Sequence, residues 1–171
     1  MSVAKTAWTA LSTRAVRVAL ARGDLDYSSW DASRKMSGLT GTAKSIRNKV
    51  DRGSVSLSDF LHLLYSTTSS EDIPCWWPTN VPAQDQLHEL SAAIVDVELQ
   101  RSHLRSEADI AVLMSSSGAS VTWREIQSWR SMGHLTLASF LHLLAVVRSD
   151  ALKDFVRSSE LRRALALPSS D

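Results

Sequence analysis

The chain has 171 residues, 44% hydrophobic and 22% charged, with a formal net charge of +1 and a single cysteine, Cys75. That length holds one ordinary domain or two small ones, and one cysteine excludes a disulfide or a cysteine-built metal site within the chain. No apolar run approaches the roughly 18 residues a membrane helix needs, and the N-terminus lacks the basic-then-apolar order of a signal peptide; a cytoplasmic location without membrane contact is expected.

In chain order, Trp8, Leu11, Ala15 and Val18 are spaced three and four apart and predict an amphipathic helix over about 5–22, stopped by Gly23. Asp26 is a suitable N-cap for a second helix over about 27–36, with Trp30 inward. The stretch Ser37-Gly38-Leu39-Thr40-Gly41 reads as a tight turn. Thr40 or Thr42 caps a third helix over about 43–51 that turns Ile46 and Val50 inward and ends at Gly53. Ser56 caps a fourth over about 56–66, burying Leu57, Phe60, Leu61 and Leu64. Residues 67–84 hold Pro74, Pro78 and Pro82 and read as a linker. Its adjacent Trp76 and Trp77 either pack the flanking units together or meet a partner.

The second half begins with a helix carrying Leu87, Leu90, Ile94 and Val97, then helices over about 107–114, 122–132 and 136–147. A last amphipathic helix is expected to carry Leu152, Phe155, Val156, Leu161 and Leu165, before Pro168 and a polar tail. Nothing predicts a strand.

These elements repeat. An offset of 80 superposes Gly38 on Gly118, Ile46 on Ile126 and Gly53 on Gly133, and sets Phe60-Leu61-His62-Leu63-Leu64 on the identical run Phe140 to Leu144. A duplicated helical unit follows: residues 1–67, a linker over 68–84 and residues 85–171. The charge is divided between them, since residues 1–70 hold ten Lys or Arg against five Asp or Glu, and residues 71–171 hold nine against thirteen. Electrostatic character of this kind speaks of partners rather than fold.

Short helices with a three- or four-residue turn between the second and third describe a helix-turn-helix domain. The stretch Tyr27 to Leu64 resembles the Cro and CI type of lambda-repressor-like domain. It is closer still to a small bacterial group of such domains, with a tyrosine before the second helix and an Arg-Asn-Lys-x-x-Arg-Gly ending on the third, here Arg47-Asn48-Lys49-Val50-Asp51-Arg52-Gly53. Thr122 to Arg130 followed by Gly133 resembles the same class more loosely. The resemblance implies an all-α fold of two tandem four- to five-helix lambda-repressor-like helix-turn-helix domains. It also implies that the third helix enters the major groove of double-stranded DNA while the second crosses the backbone.

Residue chemistry agrees for the first unit. With Ile46 and Val50 inward, the outward face presents Thr42, Lys44, Ser45, Arg47, Asn48 and Lys49. Arg or Lys can pair with guanine and Asn with adenine, so Ser45, Arg47 and Asn48 are candidates for bases, and Lys44 and Lys49 for bases or phosphates. Arg52 suits phosphate. Tyr27, Ser28 and Ser29 at the second helix N-terminus offer amides and hydroxyls to an anion, with Lys35 and Arg22 at the edge. The bland alternative is a solvated basic face.

The second unit has Gln127, Ser128, Trp129 and Met132 where the first has Arg47, Asn48, Lys49 and Arg52. An indole and a thioether on that face suit burial or a protein interface, so this copy reads as a dimerisation or partner-binding domain. As a second DNA reader it would use Trp123, Arg124, Gln127, Trp129 and Arg130. His62 and His142 share a repeat position and suit a structural place at the helix surface; His88, His103 and His134 show no metal-ligand spacing, and no nucleophile elbow or phosphate loop appears. No cofactor, no metal and no enzymatic activity are expected. The reading is a bacterial or phage transcriptional regulator acting as a homodimer on half-sites one or two turns apart. Its rival is a protein-interaction module, such as a phage inhibitor or adaptor.

Overall fold

A computed structural model describes residues 3–67, 73–78, 86–104 and 106–167, with side chains from Ala7 onward. It is all-α among the described residues: α1 (Val3–Arg22), α2 (Tyr27–Met36), α3 (Ala43–Asp51), α4 (Leu57–Thr67), α5 (Leu87–Arg101), α6 (Glu107–Ser116), α7 (Trp123–Met132), α8 (Leu137–Val146) and α9 (Ser158–Leu165). Local signals set most starts. The side chains of Asp26, Thr42, Ser106, Thr122 and Thr136 each accept the amide hydrogen of the residue three further on, satisfying a donor that the helix leaves unpaired.

The repeat is visible in three dimensions, since α1 to α4 recur as α5 to α8, and α9 has no counterpart among the described residues. The two sets meet across a single antiparallel bridge between Ser56 and Thr136, residues one repeat offset apart. The Leu57 N–H donates to the Leu135 carbonyl at 2.9 Å and the Leu137 N–H donates to the Val55 carbonyl at 2.8 Å. Exchanging every residue for its mate 80 positions away converts one bond into the other. Reciprocity of that kind marks an isologous, two-fold contact, here within one chain. Around it the first helices cross over: α1 packs on α8 as well as α4, and α5 packs on α4. One hydrophobic cluster therefore runs from Trp8 through Leu57, Phe60, Ile94, Leu137 and Phe140 to Leu161.

Four expectations change. Because α1 touches α3, α4, α8 and α9, it buries a wider arc than one face: Trp8, Ser12, Ala15, Val16, Ala19 and Leu20 are enclosed, while Leu11 and Val18 are half-buried. On α5 the same happens, with Val95 and Leu99 buried and Val97 only partly so. Asp24, not Gly23, takes the left-handed conformation after α1 (φ 49°), as short polar side chains can; Gly23 is needed instead where Thr67 comes against it. The last helix is shorter than expected. Leu152, Phe155 and Val156 are buried in a compact turn held by Phe155 and Val156 amides on the Leu152 carbonyl, and a fresh start at Arg157 follows, its N–H donating to Glu160 Oε2 at 3.1 Å.

The stretch 68–84 is described only at residues 73–78, and Pro82, like Pro168 and the polar tail, lies outside the described residues. Both tryptophans turn inward there. Trp76 and Trp77 donate their indole N–H groups to the same Glu98 oxygen on α5, at 2.9 and 2.6 Å. Trp77 lies 6.0 Å from the Phe140 ring of α8, and the Tyr65 hydroxyl of α4 donates to the Pro78 carbonyl at 2.6 Å. The segment is thus fastened to both repeats, and a carboxylate that is fully enclosed has the donors that burial demands.

Candidate nucleic-acid interface

The outward face of α3 begins with its inward one. Ile46 and Val50 are enclosed, four residues apart on one side of the helix, and Thr13 Oγ1 of α1 donates to the Val50 carbonyl at 2.6 Å, which fixes the rotation of α3 on the core. Ala43 aside, the remaining positions of α3 all face solvent. Thr42, Lys44, Ser45, Asn48, Lys49, Arg52 and Ser54 surround one hollow of about 320 Å³. Among the described residues, the side chains of Lys44, Asn48 and Arg52 have no intramolecular partner. Lys49 is partly drawn away, its Nζ 3.6 Å from Asp59 of α4.

Arg47 stands on the other flank. It is 70% exposed and lies 4.0 Å from Asp51, which Arg17 of α1 also approaches at 3.1 Å. The Arg17 guanidinium is held above its ordinary value by its contact with Tyr27 first and Asp51 next, and Tyr27 itself is half-buried against the hydrophobic cluster. The sequence grouping of Arg47 with Ser45 and Asn48 is therefore divided: Ser45 and Asn48 share the hollow with three cations, and Arg47 does not.

The second helix is less available to an anion than its residues suggest. The Ser29 N–H donates to Asp26 Oδ1 at 2.7 Å, and hydrogen bonds from Ser29 and Ser28 hold the Asp26 carboxyl below its usual range. The amides expected to be free at Tyr27, Ser28 and Ser29 already face a carboxylate, because aspartate is both the best cap and a charge; the Ser28 and Ser29 hydroxyls remain exposed. Lys35 is tied to Asp31 at 2.7 Å, and Arg22 lies over the Phe155 ring at 4.9 Å. The connection from α2 to α3 spans residues 37–42, six rather than three or four, because α2 closes with the Leu39 amide on the Arg34 carbonyl before Thr42 can cap α3.

The corresponding helix α7 is turned differently. Its inward pair is Ile126 and Trp129, three apart, where α3 uses Ile46 and Val50, four apart. Trp129 is buried and not on an outward face. Arg130, which corresponds to the buried Val50, reaches outward to Asp96 of α5 and to Glu107 of α6, the latter at 2.9 Å. Those two carboxylates hold the Arg130 guanidinium above its ordinary value and take up its charge. Trp123, Arg124 and Gln127 stay exposed, with the Arg124 guanidinium 5.5 Å over the Trp123 ring. Glu125 closes a capping box with Thr122 and adds a negative charge beside them.

Two of the five histidines belong to the interior. His62 and His142 are buried, not at the helix surface, and each shares a hydrogen bond with the serine that ends the second helix of its own repeat: Ser37 at 3.2 Å and Ser117 at 2.6 Å. The His142 ring stacks on Trp8 at 4.3 Å, and burial pushes its pKa down to about 4. Burial, then the neighbouring Arg34, lowers that of His62. His88 and His134, unpaired by sequence spacing, meet edge to face at 4.4 Å. The sequence reading also missed the buried pair Arg34 and Asp59, 2.7 Å apart.

No family model, curated protein or solved structure matches this chain.

Proposed function

We propose that the chain is a sequence-specific DNA-binding regulator of transcription that lays α3 in the major groove. One observation supports this above the others: Lys44, Ser45, Asn48 and Arg52 converge on one exposed hollow, and the charged and amide groups among them have no partner among the described residues. Amide and hydroxyl groups within a ring of cations can read base edges while the cations hold the flanking phosphates. Asn48 and Ser45 then take bases, Lys44 phosphate or guanine, Arg52 phosphate, and Arg47 the backbone beyond the groove edge.

Fluorescence anisotropy with a random duplex at low salt, followed by selection from a random pool, tests the reading. Binding should weaken steeply as salt rises, because neutralised phosphates release counterions. Asn48→Ala should cost about 1–3 kcal/mol and relax the selected motif, while Arg52→Ala weakens all sequences alike and reduces the salt slope by about 1. A selected motif unchanged by Asn48→Ala refutes the docking.

A second reading, a protein-interaction module, is supported by a different observation. Among the described residues, four of the five exposed large apolar side chains, Val112, Leu113, Trp123 and Met132, belong to α6 and α7. Aromatic and methionine side chains such as Trp123 and Met132 are enriched where proteins meet, and apolar groups offer phosphate no hydrogen bond. Complete absence of duplex binding at low salt selects this reading.

A further inference from the structure

We infer that one chain occupies a duplex site alone, as a fused two-fold pair: α3 sets the sequence, and α7 lies over the adjoining turn and holds phosphate through Arg124. This rests on the DNA reading above and replaces its homodimer with a single molecule.

The contact that would join two subunits about an axis is already made within the chain. Leu57 to Leu135 and Leu137 to Val55 are reciprocal bonds, and all four residues are buried. A second copy cannot repeat that pairing without opening the core. A two-fold operation preserves height along its axis, so the relation seen at the bridge, carried out to the helices, would set α3 and α7 at one level on either side of it. The chain from the end of α3 to Ser56 is short, and so is that from the end of α7 to Thr136. Asp51 to Ser56 is five residue steps and Met132 to Thr136 four, at most about 18 and 14 Å when extended; with about 5 Å across the bridge and about 7 Å for each half-helix, the two helix centres lie within roughly 52 Å. Half-sites one turn apart need about 34 Å, which that reach admits.

The two-fold relation is broken in the side chains. Lys44, Asn48 and Arg52 correspond to Arg124, Ser128 and Met132, and Arg130 is neutralised by Asp96 and Glu107. Palindromy in an operator mirrors symmetry in the protein; a protein symmetric in backbone but not in surface chemistry calls for a site without a dyad. Arg124, exposed and among the described residues engaged only with the Trp123 ring, is the cation that α7 retains for the second half.

Native mass spectrometry of the full chain with its selected duplex, combined with hydroxyl-radical footprinting, decides. The expected result is one chain per duplex, a motif with no dyad, and protection extending about one turn to one side of it. Arg124→Glu should shorten that protection, lower the salt slope by about 1 and leave the motif unchanged, with an unaltered urea transition showing that the variant folds. Two chains on a palindrome, or one chain whose footprint ends at the α3 half and ignores Arg124→Glu, overturns the inference. Absence of any duplex binding by the wild-type chain removes the DNA reading itself, and this inference with it.

Discussion

The same place in the core is filled in two ways. In the first repeat, Arg34 of α2 meets Asp59 of α4 at 2.7 Å, both nearly enclosed; 80 residues later the positions are Met114, fully buried, and Ser139. Removing two charges from water costs several kcal/mol per ion, and their attraction only roughly offsets it. The second repeat shows that the backbone does not need the pair. What the pair does in the first is orient Asp59, whose other oxygen draws on Lys49 at 3.6 Å, so a buried contact conditions the exposed cationic face. The lesson is that the repeats share a backbone plan while differing in how their interiors are coupled to their surfaces.

That comparison can be broken most severely at Asp59. Asp59→Ala strands a buried guanidinium and should cost about 3–5 kcal/mol, read from the urea midpoint. Next come Leu57→Ala and Leu137→Ala, symmetry mates that are both wholly buried. Each should cost about 2–5 kcal/mol, and each should shift one transition seen alike by far-UV circular dichroism and tryptophan fluorescence; two separated transitions would show the halves to be energetically independent.

The histidines sharpen the comparison through pH. A pKa lowered to about 4 at His142 means the folded form binds fewer protons than the unfolded one, whose histidine titrates near 6.5. Stability from this site is complete above about pH 6.5 and declines as pH falls toward 4, by about 3 kcal/mol in all. The acidic groups with lowered values, Asp26, Glu107 and Glu125, lose their contribution only below their unfolded values near 4, so the window between isolates the histidines. His142→Gln should flatten most of the decline, and His62→Gln less of it. The smallest effect is expected for the exchange that imports the second repeat into the first: Arg34→Met with Asp59→Ser should change stability by only about 1 kcal/mol, while weakening the hold on Lys49.

Where local chemistry decides, the sequence was readable. The bounds of α2 and α3 follow from Asp26 and Thr42 as caps and from glycine, and Ile46 and Val50 follow from spacing. Where distant segments decide, it was not. The choice between Trp129 and Arg130 as the inward residue depends on Asp96 and Glu107, carried by two other helices. The crossing of α1 to α8 and of α5 to α4 has no periodic signature, since a helix facing four neighbours and one facing two can carry similar apolar residues. The exposed row of α3 was legible in composition, but its division between Asn48 and Arg47 depends on Asp51 and Arg17. Burial of Arg34 gave no signal at all, because a helical arginine is ordinarily solvated.

Joining both copies in one polypeptide has a genetic consequence. In an assembly of identical subunits, every mutation is written twice, once on each side of the axis, and a residue good for one side must be tolerated on the other. The bridge at Ser56 and Thr136 keeps the geometry of such an assembly while letting the two sides be edited separately. Lysine at position 49 and tryptophan at 129, or arginine at 52 and methionine at 132, are combinations that a symmetric pair of gene products cannot reach.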